Sequence, residues 1–437
     1  MRITFFGAAR EVGRSCIMVE SRNTRILLDA GVKLGEKDEY PLIEDSELKH
    51  IDGIVITHAH LDHCGYLPHV FSHGYEGKVY ATKPTEELIN IAASDYMRIS
   101  KPQGIGKGAI PKMMKHYVQL EYHQQVPLKD MKIKLVPAGH ILGSAMVEVT
   151  EQNGNAALYT GDINLKTTRL LDPAYTEYLK AKTLITETTY GGNNDTFPAE
   201  HTVLSELVKT IKETIARGGK VIVPSFAVGR AQEVLFVLDD YMRSGILPKV
   251  PIYIDGSIDR VMRIYRHNVI NCKSELQKRI LMSDEDPFKS VNFHFVEGRQ
   301  ERSKIMKSPE SAIVVTTSGM LKGGPIVHYL KALSGREEDK LILVGYQAHG
   351  TPGREIQEGK KDVEFDGKKL DIKMKVETYH LSAHADRPQL MKLIGEIKGL
   401  ENVFAVHGEE TKIMEMTDSL KKNYYAKAPV LKETFEA

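Results

Sequence analysis

The stretch "ITHAHLDHCG" sets His58, His60, Asp62 and His63 within six positions, directly after the apolar run Ile54-Val55-Ile56. A hydrophobic core has no use for so many imidazoles, because each buried ring nitrogen needs a partner. If the chain is extended through His60, then His58 and His60 point to one side, since strand side chains alternate with period two. Asp62 and His63 fall on the next turn. Imidazole nitrogen and carboxylate oxygen suit zinc, iron or manganese. Four such residues can begin two metal sites and cannot complete both. Further donors are offered by His140 in "PAGHILGS", Asp162 in "LYTGDIN" and His407 in "FAVHGEE". Each stands just past an apolar run, where a rigid strand can hold a ligand.

These donors need a scaffold. Strands are expected at 2–7, 15–20, 25–29, 52–57, 78–82, 131–137, 144–149 and 156–161, rich in Val, Ile, Phe and Tyr and bounded by Gly, Asn and Asp. Helices are expected at 61–72 and 84–100, the second opened by Pro84. From about residue 190 the rhythm alternates: helices over 198–217, 229–245 and 257–269, strands over 220–224, 250–254, 311–316 and 340–346. That alternation predicts a parallel α/β sheet. A strand after 376, a helix over 386–399, a strand over 402–406 and a helix over 410–424 close the chain. The charged stretch 358–369, "EGKKDVEFDGKK", reads as a solvated hairpin or loop.

With 437 residues, 41% of them hydrophobic, the chain can fill two or three domains. A net charge of +1 announces no globally basic nucleic-acid binder, though a local patch would suffice. Three cysteines without a CxxC pair argue against a secreted disulfide scaffold and for a reducing cytoplasm. No apolar run approaches the length of a membrane span. Met1–Phe6 enters a strand pattern and lacks the layout of a signal peptide.

"THAHLDHCG", with Asp29 in "ILLDAG", His140 and Asp162, resembles the metallo-β-lactamase fold. "LITETTYG" with Glu187, "HLSAHAD" with His384, and "AVHGEE" with His407 narrow the resemblance to the β-CASP nucleases. The openings "FFGAAREVGRSCIMVE" and "PSFAVGRAQE" are similar to that group too. The endonuclease subunit of the eukaryotic cleavage and polyadenylation specificity factor and its archaeal relatives are the members most resembled, over nearly the whole chain. Archaeal relatives often carry RNA-binding KH domains before the nuclease. This chain is expected to be the shorter form without them, and it lacks the histidine motif of ribonuclease J.

The resemblance implies an α/β protein: a metallo-β-lactamase αββα sandwich from 1–190 and 376–437, with an α/β β-CASP domain, 191–375, inserted and a cleft between the two. It implies two zinc ions. His58, His60 and His140 would hold one; Asp62, His63 and His407 the other; Asp162 would bridge them. Asp29 would orient a ligand histidine from behind. Two such ions about 3.5–4 Å apart can clamp a phosphodiester and acidify a shared water to a pKa of about 7. Asp62 thereby belongs to the catalytic set, together with His384 as general acid and Glu187 as its carboxylate partner.

The glycine-rich turn "TTSGMLKGGP" could cradle a phosphate on backbone N–H groups. Family likeness makes Ser318 and Gly319 phosphate contacts, with Ser382 beside His384. Arg230 in "FAVGRAQE" could pair a phosphate bidentately, and a surface helix arginine is an equal reading. The remaining histidines, His69 and His73 among them, read as structural or surface residues, with His328 and then His349 the best candidates for more.

The expected function is a cytoplasmic zinc-dependent ribonuclease of RNA 3′-end processing or decay, an endonuclease with room for an additional 5′-3′ exonuclease mode. RNA is the expected partner, with other RNA-processing proteins and a homodimer built through the tail "APVLKETFEA"; no membrane is expected. A DNA nuclease of the same superfamily and a small-molecule metallohydrolase are the rivals. A silent scaffold is disfavoured, because all seven metal-ligand positions are kept.

Overall fold

Along Met131–Pro137 the side chains alternate between two cores: Met131, Ile133 and Leu135 enter one, Val136 the other. That period-two split, repeated from strand to strand, builds a double layer. The computed structural model describes residues 1–35, 37–282 and 286–437. Met1–Thr167, Leu171–Thr196 and Ala383–Ala437 form one compact unit; Thr168–Leu170 and Phe197–Ser382 form a second.

The first unit carries two seven-stranded sheets. One runs Thr434–Glu436, Arg2–Phe5, Ile17–Glu20, Arg25–Leu28, Gly53–Val55, Lys78–Ala81, Tyr117–Gln119. The other runs Tyr425–Lys427, Asn402–Val406, Thr183–Glu187, Ala156–Tyr159, Ala145–Glu151, Met131–Pro137, Gln125–Leu128. Their inner faces share one core, in which Ile3, Phe5, Val19 and Val55 meet Ile133, Val147, Ile185 and Phe404. Each such fully buried side chain stabilises by roughly 1.5–3 kcal/mol. Helices Arg387–Glu396 and Glu410–Leu420 cover the outside of the second sheet through Leu390, Leu393, Met416 and Leu420. Helix Lys83–Ile99 packs against Tyr117–Gln119 of the first. This is the expected αββα sandwich.

The second unit is a six-stranded sheet in the order Phe293–Phe295, Ile252–Asp255, Ile313–Thr316, Val221–Pro224, Lys340–Leu343, Lys375–Thr378. Every pairing in it is parallel, as the strand-helix alternation predicts.

Three local expectations are revised. The single helix over 61–72 is two, Leu61–Cys64 and Leu67–Ser72. Pro68 has no N–H for the Cys64 carbonyl, and the Tyr66 amide leaves the helix to bond the Ala30 carbonyl at 2.8 Å. The strand expected after 376 starts at Lys375 and pairs with Lys340–Leu343, within the compact unit that runs from Phe197 to Ser382. The stretch 358–369 does form a hairpin, Asp362–Phe365 with Lys368–Asp371, yet it is not wholly solvated. Val363 and Phe365 enter the core of the second unit.

Candidate metal centre

Strand register brings the donors together. Leu28 pairs with Val55, so Asp29 lies beside the start of the histidine stretch, and its amide bonds the Val55 carbonyl at 2.9 Å. Glu187 pairs with Val406, which sets His407 next to Thr188. Asp162 follows Ala156–Tyr159, and His140 follows Met131–Pro137. All of them emerge from the carboxyl ends of strands in the first unit. Asp29 and His407 hold left-handed φ values of 62° and 47°, a conformation L residues seldom adopt and which concentrates at functional sites. Gly161 is required before Asp162: its φ is +52°, and a Cβ would lie 2.7 Å from the Thr57 side chain.

His60 Nδ1 lies 3.2 Å from His58 Nε2 and 3.1 Å from His140 Nε2. The other nitrogens of those two rings are engaged. His140 Nδ1 donates to the Ala383 carbonyl at 2.7 Å, and His58 Nδ1 lies 3.0 Å from Thr57 Oγ1. Burial and neighbouring imidazoles hold His58 and His140 below the ordinary histidine value, which favours their neutral forms. Lone pairs therefore converge on one point, a donor set that asks for a cation.

A second group gathers Asp62, His63 and His407. His407 Nε2 is 3.3 Å from Asp62 Oδ2. Asp29 is wholly buried and accepts four bonds: from the Thr57 amide at 2.7 Å, Thr57 Oγ1 at 2.9 Å, Tyr159 O–H at 2.9 Å and His63 Nδ1 at 2.7 Å. This fixes the His63 ring and leaves Nε2 as its inward donor. Burial lowers the His63 value, but Asp162 and Asp29 more than offset it, which raises the basicity of that nitrogen.

Asp162 divides its carboxylate between the two groups. Oδ2 faces His58 Nε2 at 3.5 Å and His140 Nε2 at 3.6 Å, whereas Oδ1 faces His63 Nε2 at 3.2 Å and His407 Nδ1 at 3.4 Å. Burial pushes this carboxyl up, yet His63, His407 and His58 hold it well below the usual carboxylate range. His63 Nε2 and Asp162 Oδ1 approach closely, but neither has a hydrogen-bond partner among the described residues. Buried polar atoms aimed at a shared centre rather than at each other fit two cations with Asp162 between them.

Glu187 spends its oxygens elsewhere, on the Ile163 amide at 2.7 Å and on His384 Nδ1 at 2.9 Å. The His384 ring lies against that of His140, tilted by 52°, with centroids 4.6 Å apart. Burial lowers its pKa, but Glu187 and Asp162 outweigh this and bring it to about 9.

In the second unit, Arg230 opens helix Arg230–Arg243 after strand Val221–Pro224. Ser318 and Gly319 follow the neighbouring strand Ile313–Thr316. Ser318 Oγ donates to the Lys322 and Gly323 carbonyls at 3.1 and 3.2 Å, so its hydroxyl serves its own turn. A Cβ at Gly319 would come within 2.8 Å of the Phe226 amide nitrogen, which explains this glycine by packing. Ser382 is half-buried at the end of the unit.

Thr57 and Tyr159, which hold Asp29, were not singled out from sequence. Both stand inside the quoted motifs, so the signal was proximity to a donor.

Three family models match in chain order. They are a metallo-β-lactamase superfamily domain at 18–189, a β-CASP domain at 231–356 and a Zn-dependent metallo-hydrolase RNA specificity domain at 369–431. The chain is 38% identical to the transcription termination factor FttA of Methanocaldococcus jannaschii, over 97% of this chain and 69% of that protein. It is also 38% identical to that of Methanothermobacter thermautotrophicus, over 99% and 71%. Among solved structures, a protein of unknown function from Enterococcus faecalis V583 matches with a TM-score of 0.58 at 13% identity over 99% of each chain, a likeness of fold.

Proposed function

The chain belongs to the metallo-β-lactamase/β-CASP family of metal-dependent hydrolases, and on that premise we propose that it is a zinc-dependent ribonuclease that hydrolyses RNA phosphodiester bonds. The observation that carries this reading is the split of the Asp162 carboxylate between two histidine groups. His58, His60 and His140 would hold one zinc, Asp62, His63 and His407 a second, with Asp162 common to both. When bound, such a pair supplies Lewis-acid charge to a phosphodiester and acidifies water at the site.

The protein's own groups do the rest. Asp29 and Thr57 orient His63 and His58, so that nitrogen lone pairs rather than N–H groups face inward. Glu187 holds His384 by Nδ1 and leaves Nε2 to deliver a proton. The departing RNA 3′-oxygen is a strongly basic alkoxide, and protonating it in the transition state is worth about 10²–10⁴-fold. Arg230 and the backbone around Ser318, Gly319 and Ser382 are our proposed phosphate contacts. The first three stand at carboxyl ends of adjacent parallel strands, where open α/β sheets bind ligands.

RNA is favoured over DNA by the stretch matched to an RNA specificity domain, which contains His384 and His407, and by relatives named as transcription termination factors. Cutting a transcript to make or remove its 3′ end fits both. Cleavage would be internal, with a 5′-3′ exonuclease mode read from product sizes. We place the protein in the cytoplasm; its cysteines are unpaired and buried, and no helix among the described residues is long and apolar enough to cross a membrane. Purified protein incubated with end-labelled RNA and matched DNA, with and without chelator, tests the reading. Chelator-sensitive RNA products are expected. Preferential DNA cleavage, or cleavage indifferent to chelator, would overturn it.

A further inference from the structure

Outside the centre just described, three donors meet on another surface of the first unit. His69 lies in helix Leu67–Ser72, and His73 is the residue that ends it. Residues four apart share one helix face, and the two rings stack with centroids 3.8 Å apart and planes 16° from parallel. Asp45, the first residue of helix Asp45–Leu48, points its carboxylate at both. Oδ1 is 3.0 Å from His69 Nε2, and Oδ2 is 3.7 Å from His73 Nε2.

His73 is set up as a neutral ligand. His73 Nδ1 donates to the His69 carbonyl at 2.8 Å, which makes Nε2 the lone-pair nitrogen. The His69 ring is stacked against Tyr66 at 4.6 Å and Tyr40 at 5.5 Å, and its Nδ1 is buried without a hydrogen-bond partner among the described residues. Two imidazoles stacked this closely resist both carrying charge. Without metal, a neutral His69 can donate from Nε2 to Asp45 Oδ1 at 3.0 Å; a cation would take the place of that proton.

We propose that Asp45, His69 and His73 form a third divalent-metal site, separate from the hydrolytic centre and sharing no residue with it. Two imidazole nitrogens and one carboxylate oxygen select a borderline transition metal, zinc foremost, over magnesium or calcium, which take oxygen ligands. The Asp45 side chain is 50% exposed and that of His73 28%, so solvent completes the coordination. The ion would tie the segment carrying Asp45 to the helix that follows Asp62 and His63. It acts as a structural staple.

The experiment counts metal on the full chain. Protein stripped by chelator is reloaded with Zn²⁺ or Co²⁺, desalted and measured by mass spectrometry, with the Co²⁺ absorption spectrum recorded. Wild type should hold three equivalents. H73Q and D45N should each hold two, with at least about tenfold weaker binding of the third, since even the loss of a ligand's hydrogen-bond partner costs about 10–100-fold. A variant with H58Q and H407Q should keep the third equivalent and its spectrum, which separates this site from the reading of the hydrolytic centre. Asp45 is half-exposed, so D45N should fold normally, as checked by melting in chelator. Equal stoichiometry and equal metal-induced thermal shift in wild type, D45N and H73Q would overturn the proposal.

Discussion

His384 Nδ1 lies 2.9 Å from Glu187 Oε2 and 3.1 Å from Oε1. The same carboxylate is pinned from behind by the Ile163 amide, so the imidazole is turned by a group that cannot itself swing. His384 is therefore expected to be dispensable for metal. H384A should retain its bound metal and its melting temperature and lose RNA cleavage by about 10²–10⁴-fold. E187Q should lose part of that factor. Metal analysis beside single-turnover kinetics checks both; loss of metal in H384A would make the residue a ligand.

Asp29 organises four donors from a wholly buried position. D29N keeps the volume but turns one acceptor into a donor facing Thr57, Tyr159 or His63. Metal affinity should fall by roughly 10–100-fold with the fold intact. Competition against a chromogenic chelator measures this, and wild-type affinity would show that Asp29 is only structural.

Gly31 packs backbone against backbone beneath Asp62. A Cβ there would sit 1.7 Å from the Asp62 carbonyl oxygen, which accepts the Ser15 amide at 2.8 Å. G31A must push the Asp62–His63 turn outward. The expected cost is about 1–3 kcal/mol or more, with loss of the metal held by Asp62, His63 and His407. Urea unfolding and metal counting should move together; an unperturbed variant would contradict the contact.

Glu377 reports on pH in the second unit. Burial pushes its carboxyl up, but bonds from Lys340, Tyr379 and Thr210 outweigh that and hold it at about 2. A carboxyl depressed in the folded state stabilises fully above its ordinary value, and that stability is lost as pH falls through the folded value. The stability gap between wild type and E377Q, measured in chelator by urea unfolding, should be largest near neutral pH. It should shrink between about pH 4.5 and pH 2. A pH-independent gap would show that Glu377 acts by packing alone.

The tail stabilises its own chain. Thr434–Glu436 pairs with Arg2–Phe5, and the Phe435 ring lies 4.8 Å from Phe404 and 6.1 Å from Phe5. F435A should cost about 2–3 kcal/mol, below the fully buried Phe→Ala range because Phe435 is only partly buried. A homodimer through this tail is best tested by light scattering on the intact chain across a dilution series, since truncation would also weaken the fold. A concentration-independent monomer mass would refute the dimer.

Legibility followed distance along the chain. His58, His60, Asp62 and His63 were plain in the sequence because their separations match one strand end and one turn, so local geometry alone gathers them. His140, Asp162 and His407 were visible as polar residues ending apolar strands. Their assignment rested on family likeness, since no local rule says which strand ends meet. Sheet order answers that: Thr183–Glu187 lies between Ala156–Tyr159 and Asn402–Val406, which brings Asp162, Glu187 and His407 to one edge. Only the tertiary structure decided that each Asp162 oxygen faces a different histidine group, and that Thr57 and Tyr159 lock Asp29. From sequence, His69 and His73 read as structural or surface residues for the same reason, and nothing there points to Asp45. The His-x-x-x-His spacing is ordinary in a helix, and its carboxylate arrives from a separate helix through a loop whose path no local periodicity encodes. The sequence by itself determined donor chemistry and strand ends, because these depend on residue type and short-range period. Pairing across long separations depends on which hydrophobic faces bury each other, and that is settled only when the whole core forms.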